Sequence, residues 1–395
     1  MARPPLAIVV AAEFLVLGLW FSGTAVVPDL REAWALSDVA AAAMTTLVIA
    51  GFVVGTVSFA VLYLSDRFPA RVVFAASAWA GAAAMAALIW QPGGVSGALS
   101  LRFFTGVALA GVYPVGMKIL ASWYARPSFA LSLMVAALTF GSGSPFLVRG
   151  LGLPWQATIL TASALAVLGG ALVLIWAPSG PRLPAKSAFK PTAFAHAFAV
   201  PRFRRAALAY FGHMWELYAL WSLLPVFLLA RGDLDAATIA LLAFTTFLGG
   251  LITTIATGLW SRRVGEARVG RATLVTSTLF CLASPLTFTA PVWFVAPFVF
   301  LWGGAAVADS PQFSAIATRV APQSHVGTAL TIQNAIGFAI AWAATLAVPL
   351  LASATGWRTA FWLAAVGPAL GAWAIWRDAQ ADDHAAHHPA GETAS

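Results

Sequence analysis

Charge is what this sequence has least of. Only 9% of its 395 residues are Asp, Glu, Lys or Arg, whereas a soluble domain carries about 25%, so a water-soluble fold is excluded. Cysteine occurs once, at Cys281 inside an apolar run. An internal disulfide is therefore impossible, and the redox compartment cannot be read. No glycine-rich phosphate loop follows a strand-like segment, which disfavours ATP-driven pumping by this chain and leaves no cofactor to expect. The few acids do not converge with a nucleophile or a metal-ligating set, which argues against an enzyme. The formal charge of +8 would suit nucleic-acid binding only if the basic residues shared one solvated face. They lie between apolar runs instead.

Those runs are what the sequence has most of. Hydrophobic residues make up 61% of the chain and the mean hydropathy is +0.86. About every thirty residues a run of about twenty apolar residues recurs, the length that crosses the hydrocarbon core as a helix. Runs at 6–27, 38–64, 72–90, 97–120, 128–148, 155–176, 206–229, 237–260, 272–290, 292–317, 326–350 and 357–376 predict about twelve spans. The first run lacks the short core and small-residue cleavage site of a secretory signal and is expected to remain as the first span. Alternate gaps are rich in basic residues, among them Arg67, Arg71, Lys118, Arg126, Arg202, Arg204, Arg205, Arg262, Arg263, Arg268, Arg271 and Arg319. The opposite gaps hold only Arg31, Arg149, Arg231 and Arg358. The positive-inside rule then places both termini in the cytoplasm, with the chain multi-pass in a plasma membrane, the inner membrane of a bacterium.

The longest polar gap carries Pro178, Pro181, Pro184, Pro191 and Pro201 among basic residues. It divides the chain into an N-terminal six-helix bundle (1–177), a cytoplasmic linker (178–205), a C-terminal six-helix bundle (206–377) and a disordered cytoplasmic tail (378–395). Internal repetition supports the division. The turn after span two has Arg67 and Pro69 where the turn after span eight has Arg263 and Gly265. Gly106 and Tyr113-Pro114 in span four recur at the same spacing as Gly303 and Ser310-Pro311 in span ten, and Trp155 and Trp357 open spans six and twelve.

These features resemble the major facilitator superfamily of secondary transporters over essentially the whole chain to about Arg377. Its signature turn between spans two and three is kept in Asp66, Arg67 and Arg71, whereas Leu62, Pro69 and Ala70 depart from it. Arg102, Gly106 and Ala110 match a second signature in span four, and Gly141-Ser142-Gly143-Ser144-Pro145 faintly matches an antiporter motif in span five. The resemblance implies a fold of two pseudo-symmetric six-helix bundles whose spans one, four, seven and ten line a central cavity. It also implies that Asp66, Arg67 and Arg71 form a cytoplasmic gate that latches one state. Alternatively they are solvated topological residues.

An ionisable group inside a span costs about 2.5–3.5 kcal/mol on insertion scales and is rarely kept without a use. Glu13, Arg102, His213, Glu216 and Asp309 are such groups. At ~1.5 Å per residue the three carboxyls occupy neighbouring depths, and His213 shares a helix face with Glu216. A carboxyl in a cavity, or a His beside one, can take up and release a proton as access alternates. The alternative is that these groups join helices. For Asp309 that alternative includes a local kink at Ser310-Pro311, and for Arg102 it is bracing of the bundle rather than attraction of an anion. Trp20, Tyr113, Trp215, Tyr218, Trp221 and Trp302 offer a cavity wall able to stack on a solute, or interfacial packing. Gln333 and Asn334 offer hydrogen bonds to a solute or between helices. His384, His387 and His388 belong to a solvated tail, with no metal expected.

The expectation is a monomeric, all-α membrane protein that moves a small solute by alternating access, coupled to protons as symporter or antiporter. Its partners are the solute, protons and the bilayer, with no nucleic acid. The competing class is a non-transporting receptor or sensor on a carrier-like bundle.

Overall fold

Hydrocarbon offers backbone amides and carbonyls no partner, so a crossing segment must close its own hydrogen bonds as a helix. The computed structural model describes residues 4–124, 128–181, 192–321 and 326–387, and among them every regular element is helical. The first half comprises α1 (Leu6–Ala25), a short α2 (Val27–Trp34), α3 (Asp38–Val61), a single turn α4 (Leu64–Arg67), α5 (Ala70–Ala87), α6 (Gly94–Leu109), α7 (Tyr113–Ala121), α8 (Ser128–Gly150) and α9 (Trp155–Trp176). After α10 (Thr192–Ala199), the second half comprises α11 (Pro201–Leu229), α12 (Ala236–Val264), α13 (Glu266–Ala283), α14 (Val292–Val307), α15 (Ser310–Val320), α16 (Val326–Thr355) and α17 (Phe361–Ala374), followed by α18 (Trp376–His387). The pairs α6–α7 and α14–α15 each form one broken crossing, so each half has six.

Nine of these crossings are long and apolar enough to span by length and composition alone. The other three are α8, α11 and α17. The last has 14 residues, α8 contains the Gly141–Pro145 stretch, and α11 carries His213 and Glu216 among its aromatic residues. Lower hydropathy in α11 thus comes from side chains that recur below in the candidate site.

The two halves repeat their packing as well as their order. In the first, α3 crosses α6 where Gly51 meets the Phe103 carbonyl and Gly106 meets the Val48 carbonyl. In the second, α12 crosses α14 where Gly249 meets the Phe300 carbonyl and Gly303 meets the Thr246 carbonyl. A Cβ at any of the four would collide with the facing backbone, so glycine sets how closely these helices approach. Both central crossings also break at equivalent points. Pro114 and Pro311 each stand within the first two positions of the helix that resumes, α7 and α15, because proline is tolerated there and not in a helix interior.

We call inner the side that carries Arg67, Arg71, Arg262 and Arg263. The halves meet through α8 against α12 and α3 against α16, with α11 touching α1. Toward the outer side this seam is filled by rings. Trp20 and Phe21 of α1 pack on Tyr218 and Trp221 of α11, with centroid distances of 5.4–6.4 Å. Phe52 of α3 lies 4.4 Å from Phe338 of α16, and Phe146 of α8 stacks on Phe247 of α12 at 5.7 Å. Outermost, Arg149 makes a two-point pair with Asp29 at 2.9 and 2.6 Å, tying α8 to α2. Arg231 pairs with Asp233 and donates to the Thr287 and Ala290 carbonyls.

At the inner side the tail differs from its expected disorder. Asp378 accepts two bonds of 2.7 Å from Arg205, and residues 376–387 form α18. The polar composition suggested solvation, but Asp378 and Ala379 are buried against the bundle. That two-point pair raises the basicity of Arg205, through the Asp378 hydrogen bond before its charge. The expected linker also begins and ends in contact with the bundles. Its start is held by the Trp123 indole on the Pro178 carbonyl (2.8 Å) and the Gly180 amide on Ser122 Oγ (2.7 Å). Its end, α10, buries Ala197 among Phe203, Ala207, Ala317 and Ala329. Arg182, Lys186 and Lys190 lie outside the described residues, as does His388, and of the His384 and His387 side chains nothing is described.

Candidate functional site

Glu13 stands in the third turn of α1 and is fully buried. Its Oε1 fills the notch left by Gly116 of α7, beside the Met134 sulfur of α8. Neither carboxyl oxygen has a hydrogen-bond partner among the described residues. A buried polar group in that condition costs free energy until a proton, a donor or a cation joins it. The half-buried Tyr113, first residue of α7, lies within electrostatic range of Glu13, and so does Tyr210 of Tyr113. Tyr210 in turn packs its ring 5.9 Å from that of His213. His213 Nδ1 lies 2.7 Å from Asp309 Oδ1, with both side chains 1% exposed. Tyr210, His213 and Asp309 thus adjoin one another in the second half.

Asp309 occupies the break between α14 and α15, at the N-cap position of α15. It thus marks the break before Ser310-Pro311 and also faces His213. Its side chain does not cap α15, which leaves the carboxyl to His213. His213 Nε2 has no hydrogen-bond partner among the described residues.

Glu216 is held quite differently. Ser277 Oγ donates to it at 2.6 Å, the Trp302 indole at 2.8 Å and the Cys281 thiol at 3.2 Å. All of these partners are fully buried. The carboxyl therefore joins α11 to α13 and α14 as interhelical glue, within the second half. Although His213 and Glu216 share a helix face, they serve separate partners.

Arg102 braces the first half. Its Nε donates to the Met44 carbonyl (2.9 Å), Nη1 to the Leu19 carbonyl (3.3 Å) and Met85 sulfur (3.4 Å), and Nη2 to the Trp20 carbonyl (2.8 Å). The guanidinium is fully buried and lies against Gly23. Its donors are directed at α1, α3 and α5, so it does not face a solute path. Trp215 likewise turns away from the seam, donating to the Leu363 carbonyl at 3.0 Å and packing on Gly367 of α17. Trp302, also expected at a cavity wall, is committed to Glu216.

Trp20, Tyr218 and Phe338 do meet where the halves adjoin, with centroids 5.2–5.7 Å apart. Gln333 is buried with Oε1 unpartnered, and Asn334 is half-buried on α16. At the signature turn, Arg67 and Arg71 are exposed, and the Asp66 side chain lies outside what is described. Four contributors escaped the sequence reading. Tyr210 precedes His213 by three residues and so shares its helix face, a signal that was available. Ser277 and Cys281, four apart on α13, also share a face. Gln312, whose Nε2 is unpartnered, follows Pro311 and gave no such signal.

A model of the Major Facilitator Superfamily matches residues 206–394. The whole chain superposes on solved structures of that fold. The xylose transporter XylE from E. coli, in a partially occluded inward-open conformation, gives a TM-score of 0.72 at 14% identity over 94% of this chain and 96% of that one. The human organic anion transporter MFSD10 (TETRAN) gives 0.69 at 17% identity over 94% and 100%. The E. coli fucose:proton symporter FucP (N162A) gives 0.66 at 15% identity over 95% and 99%. No curated protein matches in sequence. The second half thus matches the model of that superfamily, and the chain as a whole shares the fold of these transporters, an all-α, multi-pass membrane fold.

Proposed function

We propose that this protein carries a small solute across the membrane by alternating access, with protons as the coupled ion. It works as a monomer whose two halves, 1–177 and 206–377, rock about their shared seam. One observation carries the proposal: buried polar atoms without partners gather on the helices that meet there. Glu13, Trp20 and Thr24 on α1, Thr56 on α3, His213, Trp221 and Ser222 on α11, Thr254 on α12, Asp309 and Gln312 at the start of α15, and Gln333 on α16 all contribute, whereas Thr158 on α9 and Ser284 after α13 lie off these helices. Elsewhere, large buried polar groups such as Arg102 and Glu216 are satisfied by protein. Orphaned groups at a seam suit a site that is completed by solute, water and protons. Glu13 and the His213–Asp309 pair supply a proton site in each half. The arginine asymmetry supports cytoplasmic termini in a plasma membrane.

The test requires no knowledge of the solute. Gly150 of α8 packs on Leu241 of α12 at the outer seam. In a Cys281→Ser background, Gly150→Cys with Leu241→Cys should cross-link at a rate that depends on pH, as the outer seam opens and closes. Adding Glu13→Gln should flatten that dependence. A cross-linking rate that is constant with pH in the parent protein would remove proton-linked alternation.

A further inference from the structure

The sign of charge left unanswered at the seam narrows the solute. Within the crossings, the ionisable groups deep in the fold are Glu13, Arg102, His213, Glu216 and Asp309. Arg102 donates to three carbonyls and a thioether and belongs to the packing of the first half. Glu216 receives three donors. His213 and Asp309 answer each other at 2.7 Å. Lys118, the next cation toward the inner side, sits in the last turn of α7 and is itself engaged. His213 and Asp309 lack a well-formed hydrogen bond but face each other within ion-pair distance, so Glu13 is the one of these five groups with neither a hydrogen bond nor an ion-pair partner among the described residues.

Aromatic surface surrounds the same seam. Trp20, Phe52, Tyr218 and Phe338 form one cluster with centroids 4.4–5.7 Å apart. Ring faces attract cations and apolar bodies, and repel anions. An anion would meet an unopposed carboxyl and ring faces, with the nearby guanidinium already committed.

Building on the carrier proposed above, we infer that the solute is a lipophilic organic cation, bound with its charge toward Glu13 and its apolar body against the Trp20–Phe338 cluster. When the cation leaves, a proton takes its place on Glu13, so the two compete for one carboxyl. This is the relation an exchanger of protons for cations requires.

Tetraphenylphosphonium and tetraphenylborate, nearly equal in shape and opposite in charge, provide the test. On the purified protein in detergent, saturable binding of tetraphenylphosphonium should exceed that of tetraphenylborate by about tenfold or more, the scale set by pairing or opposing one buried charge. Binding should weaken as the pH falls. Glu13→Gln should lose about tenfold in affinity for the cation, and Glu13→Asp should recover part of it. Equal binding of both ions, tighter binding of the anion, no saturable cation binding, or unchanged affinity in a folded Glu13→Gln protein would overturn the inference. Should Glu13→Gln fail to fold, the comparison of the two ions on the unsubstituted protein decides alone. The inference also fails separately from the carrier proposal. Pairing of the outer-seam cysteines that still varies with pH, in a protein that binds no cation, would keep the carrier and discard the charge.

Discussion

Glu13 and Glu216 are the same side chain, both buried in the first crossing of each half, yet among the described residues one has no hydrogen-bond partner and the other has three. Glu216 is enclosed by α13 and α14 and serves the architecture of its own bundle. Glu13 rests in the notch at Gly116 with neither oxygen hydrogen-bonded among the described residues. Burial of a carboxyl is therefore no guide to its role. What distinguishes a site from a strut is whether the fold has already supplied the donors.

This contrast yields its largest prediction in stability. Glu216→Leu strands the Trp302 indole and the Ser277 hydroxyl, and each buried donor left unsatisfied costs about 1–3 kcal/mol. Glu13→Met removes an orphaned polar group and should leave the melting temperature in detergent unchanged or raised. Equal losses in the two variants would mean that Glu13 has a structural partner, and the contrast would collapse. A smaller pair of effects concerns the repeated crossings. Gly51→Ala and Gly249→Ala each force a methyl into a facing carbonyl, and overpacking of this kind typically costs about 1–3 kcal/mol. Similar shifts in melting temperature would show that the two halves repeat their energetics as well as their geometry; tolerance of one alone would show that they do not.

The smallest effect lies at the outer turn. Arg231's hydrogen bonds hold Asp233 below its ordinary value of 3.8, and the Thr238 amide, then its hydroxyl, do the same for Asp235. A carboxylate held below its unfolded value stabilises the fold above that value and loses the contribution as the pH falls through the folded one. Hydrogen exchange at the Thr238 amide should therefore quicken, relative to its intrinsic rate, only as the pH drops below 3.8. Loss of protection at neutral pH would show that the cap contributes nothing there.

The signature turn illustrates how far motif and geometry can diverge. Asp66, Arg67 and Arg71 made the family resemblance legible, yet the larger buried groups with unmet bonding lie on other elements, among them Glu13 on α1, His213 on α11, Gln312 on α15 and Gln333 on α16. Arg102 is the converse: a signature residue whose sequence context left both attraction of an anion and bracing open, and whose donors serve three carbonyls and a thioether. Trp215 and Trp302 offered rings for stacking on a solute or for packing, and each indole is spent inside the second bundle. Composition describes the cost of burying a segment and not the pair, Arg205 with Asp378, that docks the start of the tail.

The amino-acid sequence by itself determined the crossings, their alternating orientation, the two-fold repetition and the points where both central helices break. These follow from interactions between neighbouring residues and the bilayer: apolar length against hydrocarbon thickness, arginine against membrane orientation, and proline against helix continuation. Only the tertiary structure decided which buried charges are spent. The partners of Glu216 lie 61, 65 and 86 positions along the chain and those of Arg102 up to 83 positions away, distances over which local composition carries no information. Whether a carboxyl in hydrocarbon is a strut or a site is settled by what folds against it.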